Sequence, residues 1–326
     1  MTSTSRNFSA YIGTENGLFR APLADRDSKA QLLGLRGKGP VIGAFSDKKD
    51  PRRVIAVTQA SGVYRSDDGG QLWKEANLGL ASKRVTCVHQ HARSGALLLA
   101  NTDTEIYEST SSGESWSLLT SFSSYRHAQN QLVSTTISDI GLHFANQSLI
   151  FVSLKNFGFF KSLDKGTSWE QSKSLKNTNI NSLLPMSDNP ATVICATDSG
   201  IYRSLDAGET FLPAKFDLAR PEFNLIVGHY SAPNILFSTA SKKTNGMETD
   251  SAVCMSEDQG QTWKALALGP ATSQSLVPKA IALNPEVAKT LLIGTKDGSV
   301  WLSEERGDHF RKLLSGLPGI YSIAIF

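Results

Sequence analysis

Short apolar segments recur in pairs along the whole chain, and a polar turn that contains glycine separates the two members of each pair. Clear examples are residues 11–19, 54–64, 192–202 and 291–301, and each of them ends in an aromatic residue. Two apolar segments around a glycine turn are typical of a β-hairpin. The pattern therefore predicts an all-β chain built from repeated hairpins.

A motif of the form Ser-x-Asp-x-Gly-x-(Thr/Ser)-(Trp/Phe) follows most of these hairpins. Its copies begin at residues 66, 109, 162, 204, 256 and 303, so that they lie 43, 53, 42, 52 and 47 residues apart. This period fits one four-stranded blade of a β-propeller per copy. Two copies lack the aspartate, because Ser111 and Glu305 stand where Asp is expected, and we expect those turns to be looser.

Each residue type in the motif suits a tight turn. Ser and Asp side chains can hydrogen-bond to nearby backbone groups, glycine tolerates a positive φ, and the aromatic ring can pack against a neighbouring strand. We therefore predict a structural and not a catalytic role for the motif residues. These structural motif residues include Ser66, Asp68, Gly70, Trp73, Asp164, Trp169, Asp206, Asp258 and Trp263.

The motif resembles the Asp-box, or BNR repeat, of sialidases, sortilin-type receptors, some glycoside hydrolases and the photosystem II assembly factors. The resemblance extends over nearly the whole chain, and it implies a β-propeller. It implies no single function, because these relatives have unrelated activities.

The number of blades follows from the motifs and from the two ends of the chain. Six motifs predict six blades, and the hairpin at residues 11–19 predicts a seventh whose motif has decayed to residues 21–25. Residues 319–326 form one more apolar segment, which we expect to supply the innermost strand of the first blade and so to close the ring. The prediction is a single domain, residues 1–326, folded as a seven-bladed propeller of four-stranded antiparallel blades. Six blades plus a separate hairpin is the alternative.

Composition narrows the class of protein. Hydrophobic residues make up 40% of the chain and charged residues 19%, and the net charge of +3 is too small to favour a nucleic-acid partner. No apolar run reaches the roughly 20 residues of a membrane-spanning helix, and no apolar segment precedes the first strand, so we expect neither a membrane span nor a signal peptide. The odd number of cysteines, Cys87, Cys195 and Cys254, in predicted strands of different blades favours reduced, buried thiols and a cytoplasmic location.

Basic residues dominate the loops on one predicted face, where connections between blades meet the turns between second and third strands. Two of these loops, residues 120–134 and 241–251, are longer than a blade needs, and long loops are often functional. We therefore predict a ligand site at the channel mouth on this face, opposite the motifs, although an ordinary solvated surface explains the same charges. The predicted ligand-binding residues are Tyr125, Arg126, His127, Lys155, Arg220, Lys242, Lys243 and Lys296.

Histidines near the ends of three predicted innermost strands raise the question of a metal site. His89, His143 and His229 could together hold zinc or copper, but a polar residue repeated to cap each strand explains their positions equally well. We predict no metal site and no cofactor.

The motifs of known enzyme classes are missing. The chain lacks the Arg-Ile-Pro string that usually accompanies sialidase Asp-boxes, and it has no Gly-x-Ser-x-Gly, no His-Glu-x-x-His and no phosphate loop. We therefore favour a non-catalytic binding or scaffold protein whose partner is a protein, a peptide or an anionic small molecule. The alternative is a hydrolase or lyase for a small anionic or sugar-like substrate, with active residues scattered over several blades.

Overall fold

The computed structural model describes residues 8–23, 29–124, 135–216, 222–244, 247–267 and 276–326, and of residues 243, 244 and 247–250 only the backbone. These ranges form seven sheets, each of which is one blade of a propeller. The predicted fold class is confirmed. Within the same ranges, the chain contains no helix with the length and hydrophobicity needed to cross a membrane.

The strands follow one another in a regular order, and blades are numbered here along the chain. The first half contains β1 (Ser9–Thr14), β2 (Gly17–Pro22), β3 (Gln31–Gly34), β4 (Val41–Ser46), β5 (Val54–Thr58), β6 (Gly62–Ser66), β7 (Lys74–Glu75), β8 (Val85–Gln90), β9 (Leu97–Asn101), β10 (Glu105–Ser109), β11 (Ser117–Ser121), β12 (Ile137–Leu142), β13 (Ile150–Leu154), β14 (Gly158–Ser162) and β15 (Glu170–Gln171). The second half contains β16 (Ile180–Pro185), β17 (Val193–Thr197), β18 (Gly200–Ser204), β19 (Leu212–Pro213), β20 (Lys215–Phe216), β21 (Glu222–His229), β22 (Ala232–Thr244), β23 (Met247–Ser256), β24 (Thr262–Leu266), β25 (Pro278–Leu283), β26 (Leu291–Thr295), β27 (Val300–Ser303), β28 (Arg311–Leu314) and β29 (Ile320–Ile325).

The two ends of the chain meet in blade 1, whose strand order is β29-β1-β2-β3. Strand β29 pairs antiparallel with β1, so that Ile325 lies opposite Ala10, and the rings of Tyr11 and Phe326 stack with centroids 4.1 Å apart. The predicted closure by the C-terminal strand is thus confirmed. It covers the inner edge of β1, which would otherwise be open for pairing with another chain.

Blade 6 departs from the predicted four strands and from the predicted loop at residues 241–251. Strand β20 adds a fifth strand, which pairs in parallel with β24. Strands β22 and β23 run on through most of the predicted loop as a long hairpin, since β22 has 13 residues and its counterpart β13 in blade 4 has 5. The extra length of this repeat is therefore largely strand and not irregular loop.

The hydrophobic core is divided among the interfaces between neighbouring blades. Seven clusters of buried residues are found in the described part of the chain, one for each pair of adjacent blades. In the cluster between blades 4 and 5, for example, Phe151 and Phe159 of blade 4 pack with Cys195 and Phe211 of blade 5. Every blade therefore depends on both neighbours to bury its two apolar faces.

Repeated backbone hydrogen bonds assign the turns to two faces of the ring. On the first, which we call the loop face, turns between second and third strands bond to the connections between blades, as in Lys155 N to Thr136 O at 2.9 Å and Lys296 N to Val277 O at 2.9 Å. On the second, the box face, the Asp-box turns bond to the turns that follow the inner strands, as in Ala207 N to Ala191 O at 2.7 Å.

The Asp-box turns are held by the hydrogen bonds that the motif predicts. The Ser162 hydroxyl donates to Asp164 Oδ1 at 2.8 Å and accepts the Gly166 N–H at 2.7 Å, and Asp164 Oδ1 accepts the Ser168 N–H at 2.9 Å. The Trp169 indole donates to Gly166 O at 3.0 Å. The same serine-to-aspartate bond recurs at Ser66 with Asp68, Ser204 with Asp206 and Ser256 with Asp258.

The glycine of the box is required for two reasons. Gly208 has a φ of 89°, and a Cβ at this position would lie 2.2 Å from Cε1 of Phe159 in the preceding blade. In the degenerate copy at Ser109, Ser111 replaces the carboxylate as acceptor of the Ser115 N–H, at 3.0 Å. In the copy with Glu305, Ser303 Oγ still accepts the Gly307 N–H, at 2.9 Å. Since the Gly113 N–H likewise donates to Ser109 Oγ at 3.0 Å, the glycine-to-serine bond of the turn is retained in both degenerate copies.

Replacing Asp164 with asparagine should destabilise the protein in a pH-dependent way. The hydroxyl of Ser168, followed by its backbone N–H and by Ser162, lowers the pKa of Asp164 to about 2, below the roughly 3.9 of an unfolded chain. A lowered carboxyl pKa stabilises the fold above the unfolded value, and this contribution is lost as the pH falls towards 2. We expect the melting temperatures of wild type and Asp164→Asn to differ by a constant amount from pH 5 to 8 and to converge below about pH 4. Glu304→Gln is the control. It removes the charge of an exposed carboxylate at the second position of the motif in blade 7, and it should change the melting temperature little at neutral pH.

Candidate functional site

A cavity of about 300 Å³ opens at the channel mouth on the box face. Two positions of the repeat line it in five successive blades. They lie one residue before and one residue after the position at the end of each inner strand that His143 occupies in blade 4. The first position contributes Gln90, Leu142, Pro185, Gly228 and Leu283, and the second contributes Ala92, Phe144, Ser187, Tyr230 and Pro285. We call this cavity the box-face pocket.

Aromatic side chains define the rim of the box-face pocket. The rings of Phe144 in blade 4 and Tyr230 in blade 6 stack with centroids 5.0 Å apart and an interplanar angle of 3°. The Arg93 guanidinium lies 5.6 Å from the Phe144 ring centroid, a cation–π distance. Tyr230 is nevertheless 50% exposed, so a large aromatic surface faces solvent at the edge of an apolar cavity. Such an arrangement is typical of binding surfaces more than of monomer surfaces.

The capping residues beside the pocket include most of the histidines considered above as metal ligands. His143 Nδ1 accepts the backbone N–H groups of Ala145 and Asn146, at 3.2 and 2.9 Å. His91 and His229 accept backbone N–H groups in the same way, and Asn284 does so with its side-chain oxygen. A ring nitrogen that accepts these bonds carries no proton, and it has no free lone pair for a metal. The capping explanation therefore applies to His143 and His229.

The third candidate, His89, lies two residues before the cap and differs from them. Its Nε2 lies 2.6 Å from Asp139 Oδ1, which also accepts the Ile140 N–H at 3.0 Å. The other oxygen, Oδ2, accepts the Leu183 N–H at 2.8 Å. Because His89, Asp139 and Leu183 belong to the inner strands of blades 3, 4 and 5, a single carboxylate joins three blades.

Asp139 also shifts the pKa values of its neighbours. Desolvation alone would lower the pKa of His89, but the negative charge of Asp139 and its hydrogen bond raise that pKa overall. Burial first, and then the charge of Asp139, raise the pKa of the Cys87 thiol well above its usual range. We name Cys87, His89 and Asp139 the channel triad, since the three lie on inner strands and their polar atoms come within 4.8 Å of one another.

The loop-face residues predicted to bind a ligand are only partly described. Tyr125, Arg126, His127 and Arg220 lie outside the described residues, as does the side chain of Lys243. Lys155, Lys242 and Lys296 are exposed and belong to blades 4, 6 and 7. The ligand site predicted on this face stays a prediction.

One cavity of about 380 Å³ does lie on the loop face, and it contains one of the predicted residues. Lys296 lines it with Lys279, Tyr321 and Glu15, so that a carboxylate accompanies the two ammonium groups. The cavity therefore carries charges of both signs, whereas the loop composition indicates a surface with mainly positive charge.

The box-face pocket was not predicted from the sequence, because the predicted ligand site lies on the face opposite the Asp-boxes. The signal was present in the repeat itself. The position after the cap reads Ala92, Phe144, Ser187, Tyr230 and Pro285, which places two aromatics in a row that is otherwise small or cyclic. Only an alignment of the inner strands, one blade on another, brings these residues into register.

Comparisons with known proteins agree on the fold and differ in function. A family model described as Sortilin-Vps10, sortilin and neurotensin receptor 3, matches residues 158–269, about a third of the chain. No curated protein matches the chain. The chain is an Asp-box β-propeller.

Solved structures with this fold include both enzymes and binding proteins. An ancestral GH74 enzyme has a TM-score of 0.65 and 18% identity over 86% of this chain, which spans 39% of the enzyme's length. YCF48 bound to D1 peptide has a TM-score of 0.59 and 12% identity, over 95% of this chain and 85% of that one. YCF48 from Cyanidioschyzon merolae has a TM-score of 0.59 and 13% identity, over 86% of this chain and 88% of that one. At these identities the likeness shows the fold alone.

Proposed function

We propose that this protein is a non-catalytic binding propeller that recognises an extended peptide or a protein segment through the box-face pocket. The observation that carries the proposal is the pocket's chemistry, an apolar cavity of about 300 Å³ with two stacked aromatic rings at its rim. A space of this size accepts one or two apolar side chains, and the exposed aromatic edge provides a surface for the flanking residues.

Two polar side chains that line the pocket, His229 and Ser187, are engaged within the protein. His229 Nε2 lies 3.0 Å from Pro285 O, and its Nδ1 accepts the Ser231 N–H. The Ser187 hydroxyl donates to Tyr230 O at 3.0 Å. Since these groups are already satisfied, the pocket favours an apolar anchor over a charged small molecule.

The peptide complex of a neighbour with the same fold supports this choice. YCF48 has been solved with a D1 peptide, and the present chain covers 85% of its length. A ring with this architecture can therefore hold a peptide, and we extend that class of partner, though not its identity, to this chain.

The enzyme alternative receives less support from the pocket. Glycoside hydrolysis requires two carboxyl groups about 5 to 9.5 Å apart around the scissile bond. The residues that line the box-face pocket include no Asp or Glu, and the loop-face cavity has the single carboxylate of Glu15. The structural similarity to the GH74 enzyme does not favour the enzyme alternative, because it shows the fold alone.

A peptide-display selection against the immobilised full chain tests the proposal. We expect selected peptides to share an apolar or aromatic anchor, and we expect Tyr230→Ser and Phe144→Ser each to weaken their binding by roughly tenfold or more. Binding would be measured by fluorescence anisotropy of the selected peptides. Both side chains lie at the rim, so neither substitution should prevent folding, and thermal melting would confirm this.

The chain offers a matched control on the opposite face. Tyr321 is 47% exposed, close to the value for Tyr230, and it lines the loop-face cavity. Tyr321→Ser should leave peptide binding unchanged. If Tyr321→Ser lost binding and Tyr230→Ser kept it, the ligand site would lie on the loop face and the proposed site would be wrong.

A further inference from the structure

The channel triad is chemically unusual in its surroundings. The inner strand of every blade contains a β-bulge, and we call the first residue after each bulge the post-bulge residue. The seven residues that stand two places after the post-bulge residues form one ring around the channel. That ring consists of Phe45, His89, Gly141, Leu184, Val227, Ala282 and Ala324. His89 is its one polar member, and the post-bulge residues beside it are Cys87 on the same strand and Asp139 on the next blade.

The backbone brings the three side chains together. Cys87 and His89 are two residues apart on β8, so their side chains project from the same side of the strand. Asp139 lies on β12, the neighbouring inner strand, and the three donor atoms come within 4.8 Å of one another. The His89 side chain is 37% exposed, so the cluster can be reached from the channel.

We propose that Cys87, His89 and Asp139 bind one divalent ion of the zinc type in the channel wall. Donor atoms around tetrahedral zinc lie about 3.3 to 3.6 Å apart, given zinc–sulfur bonds near 2.3 Å and zinc–nitrogen and zinc–oxygen bonds near 2.0 Å. The more distant donor atoms of the triad must therefore move closer by about 1 Å to hold the ion. His89 Nε2 and Asp139 Oδ1, which now lie 2.6 Å apart, must move slightly away from each other.

The donor set selects the class of metal. A thiolate with an imidazole suits zinc, cobalt or copper, whereas calcium and magnesium require oxygen ligands. A thiolate and a carboxylate together carry two negative charges, which a divalent ion neutralises. This balance matters because Asp139 is only 7% exposed, and a net charge there would be costly.

The carboxylate is already oriented for this role. The Ile140 and Leu183 N–H groups hold Asp139 in place, as supporting hydrogen bonds commonly hold metal ligands. Three protein ligands leave one coordination position for water or for a group on a bound partner. The site is distinct from the box-face pocket, because none of the three residues lines that pocket.

Titration of the chelator-treated, reduced full chain with Co²⁺ and then Zn²⁺ tests the proposal. We expect one Co²⁺ per chain, a near-ultraviolet thiolate-to-cobalt absorption band, and loss of this band when Zn²⁺ displaces the cobalt. Cys87→Ser should abolish the band and weaken Zn²⁺ binding more than about 100-fold, since loss of a supporting residue alone costs 10- to 100-fold. His89→Gln should weaken binding comparably and leaves the backbone bonds to Asp139 in place.

A second histidine on the same strand provides the control. His91→Asn places at this cap the residue that Asn284 supplies in blade 7, and it should keep the band and the affinity. The proposal is overturned if the wild type shows no thiolate-to-cobalt band, or if Cys87→Ser binds Zn²⁺ as tightly as the wild type. Melting curves of the metal-free variants establish that each one is folded.

Discussion

Deletion of residues 320–326 should prevent the chain from forming a stable ring. The deletion removes β29, which carries the buried Ile320 and Ile325, at 1% and 8% exposure, and the whole inner edge of blade 1. Burying two such side chains and pairing one strand is worth about as much as the 5 to 15 kcal/mol that stabilise a typical domain. We expect the truncated chain to be recovered mainly as aggregate, because the exposed edge of β1 can pair with other chains.

Size-exclusion chromatography and thermal melting of the soluble fraction would measure this effect. Tyr321→Ser is the control within the same strand, since Tyr321 is 47% exposed and its loss should leave the ring monomeric and stable. A truncated chain that stayed monomeric and melted within about 5 °C of the full chain would contradict this account of closure.

The ring could be predicted from sequence because its determinants are local and repeated. The Ser-x-Asp-x-Gly turn at Ser162 specifies its own geometry through hydrogen bonds that span at most four residues. Six copies of such a turn, together with an unpaired last segment, leave few topologies other than a closed propeller. The closure by β29 followed from the same repeat, because only blade 1 lacked an inner strand.

The departures in blade 6 depend on contacts that the repeat does not encode. Strand β20 forms because Lys215 N reaches Gln261 O at 2.8 Å, across 46 residues of sequence. Strands β22 and β23 extend through residues 241–244 and 247–251 of the predicted loop, since the polar residues there are compatible with an exposed hairpin as well as with a loop.

The candidate sites were harder to predict because they combine residues from different blades. His89 has the same residue type as the caps His143 and His229, and the sequence grouped the three together. The register of the bulges places His91, and not His89, with the caps, and it places Asp139 next to His89. A bulge shifts which residues face the channel, and a single sequence does not show where it falls.

Asp139→Ala should destabilise the metal-free protein by about 3 to 5 kcal/mol, the usual cost of removing one partner from a buried charged network. The carboxylate is 7% exposed, and its loss leaves the N–H groups of Ile140 and Leu183 without their acceptor. It also breaks the bond to His89, so that the inner strands of three blades lose a shared contact. Urea denaturation in the presence of a chelator would measure the change, with the slope of the transition as a check on two-state behaviour.

The matched control is another aspartate that bonds across blades at the surface. Asp188 accepts a hydrogen bond from the Gln259 side chain at 3.0 Å, and because this contact is exposed, Asp188→Ala should cost no more than about 0.5 kcal/mol. Equal effects of the two substitutions would mean that the carboxylate in the channel wall is no more important than a surface contact. A large difference between them would place a substantial part of the ring's stability in the bonds that Asp139 makes to blades 3 and 5, since those are the contacts that a surface aspartate lacks.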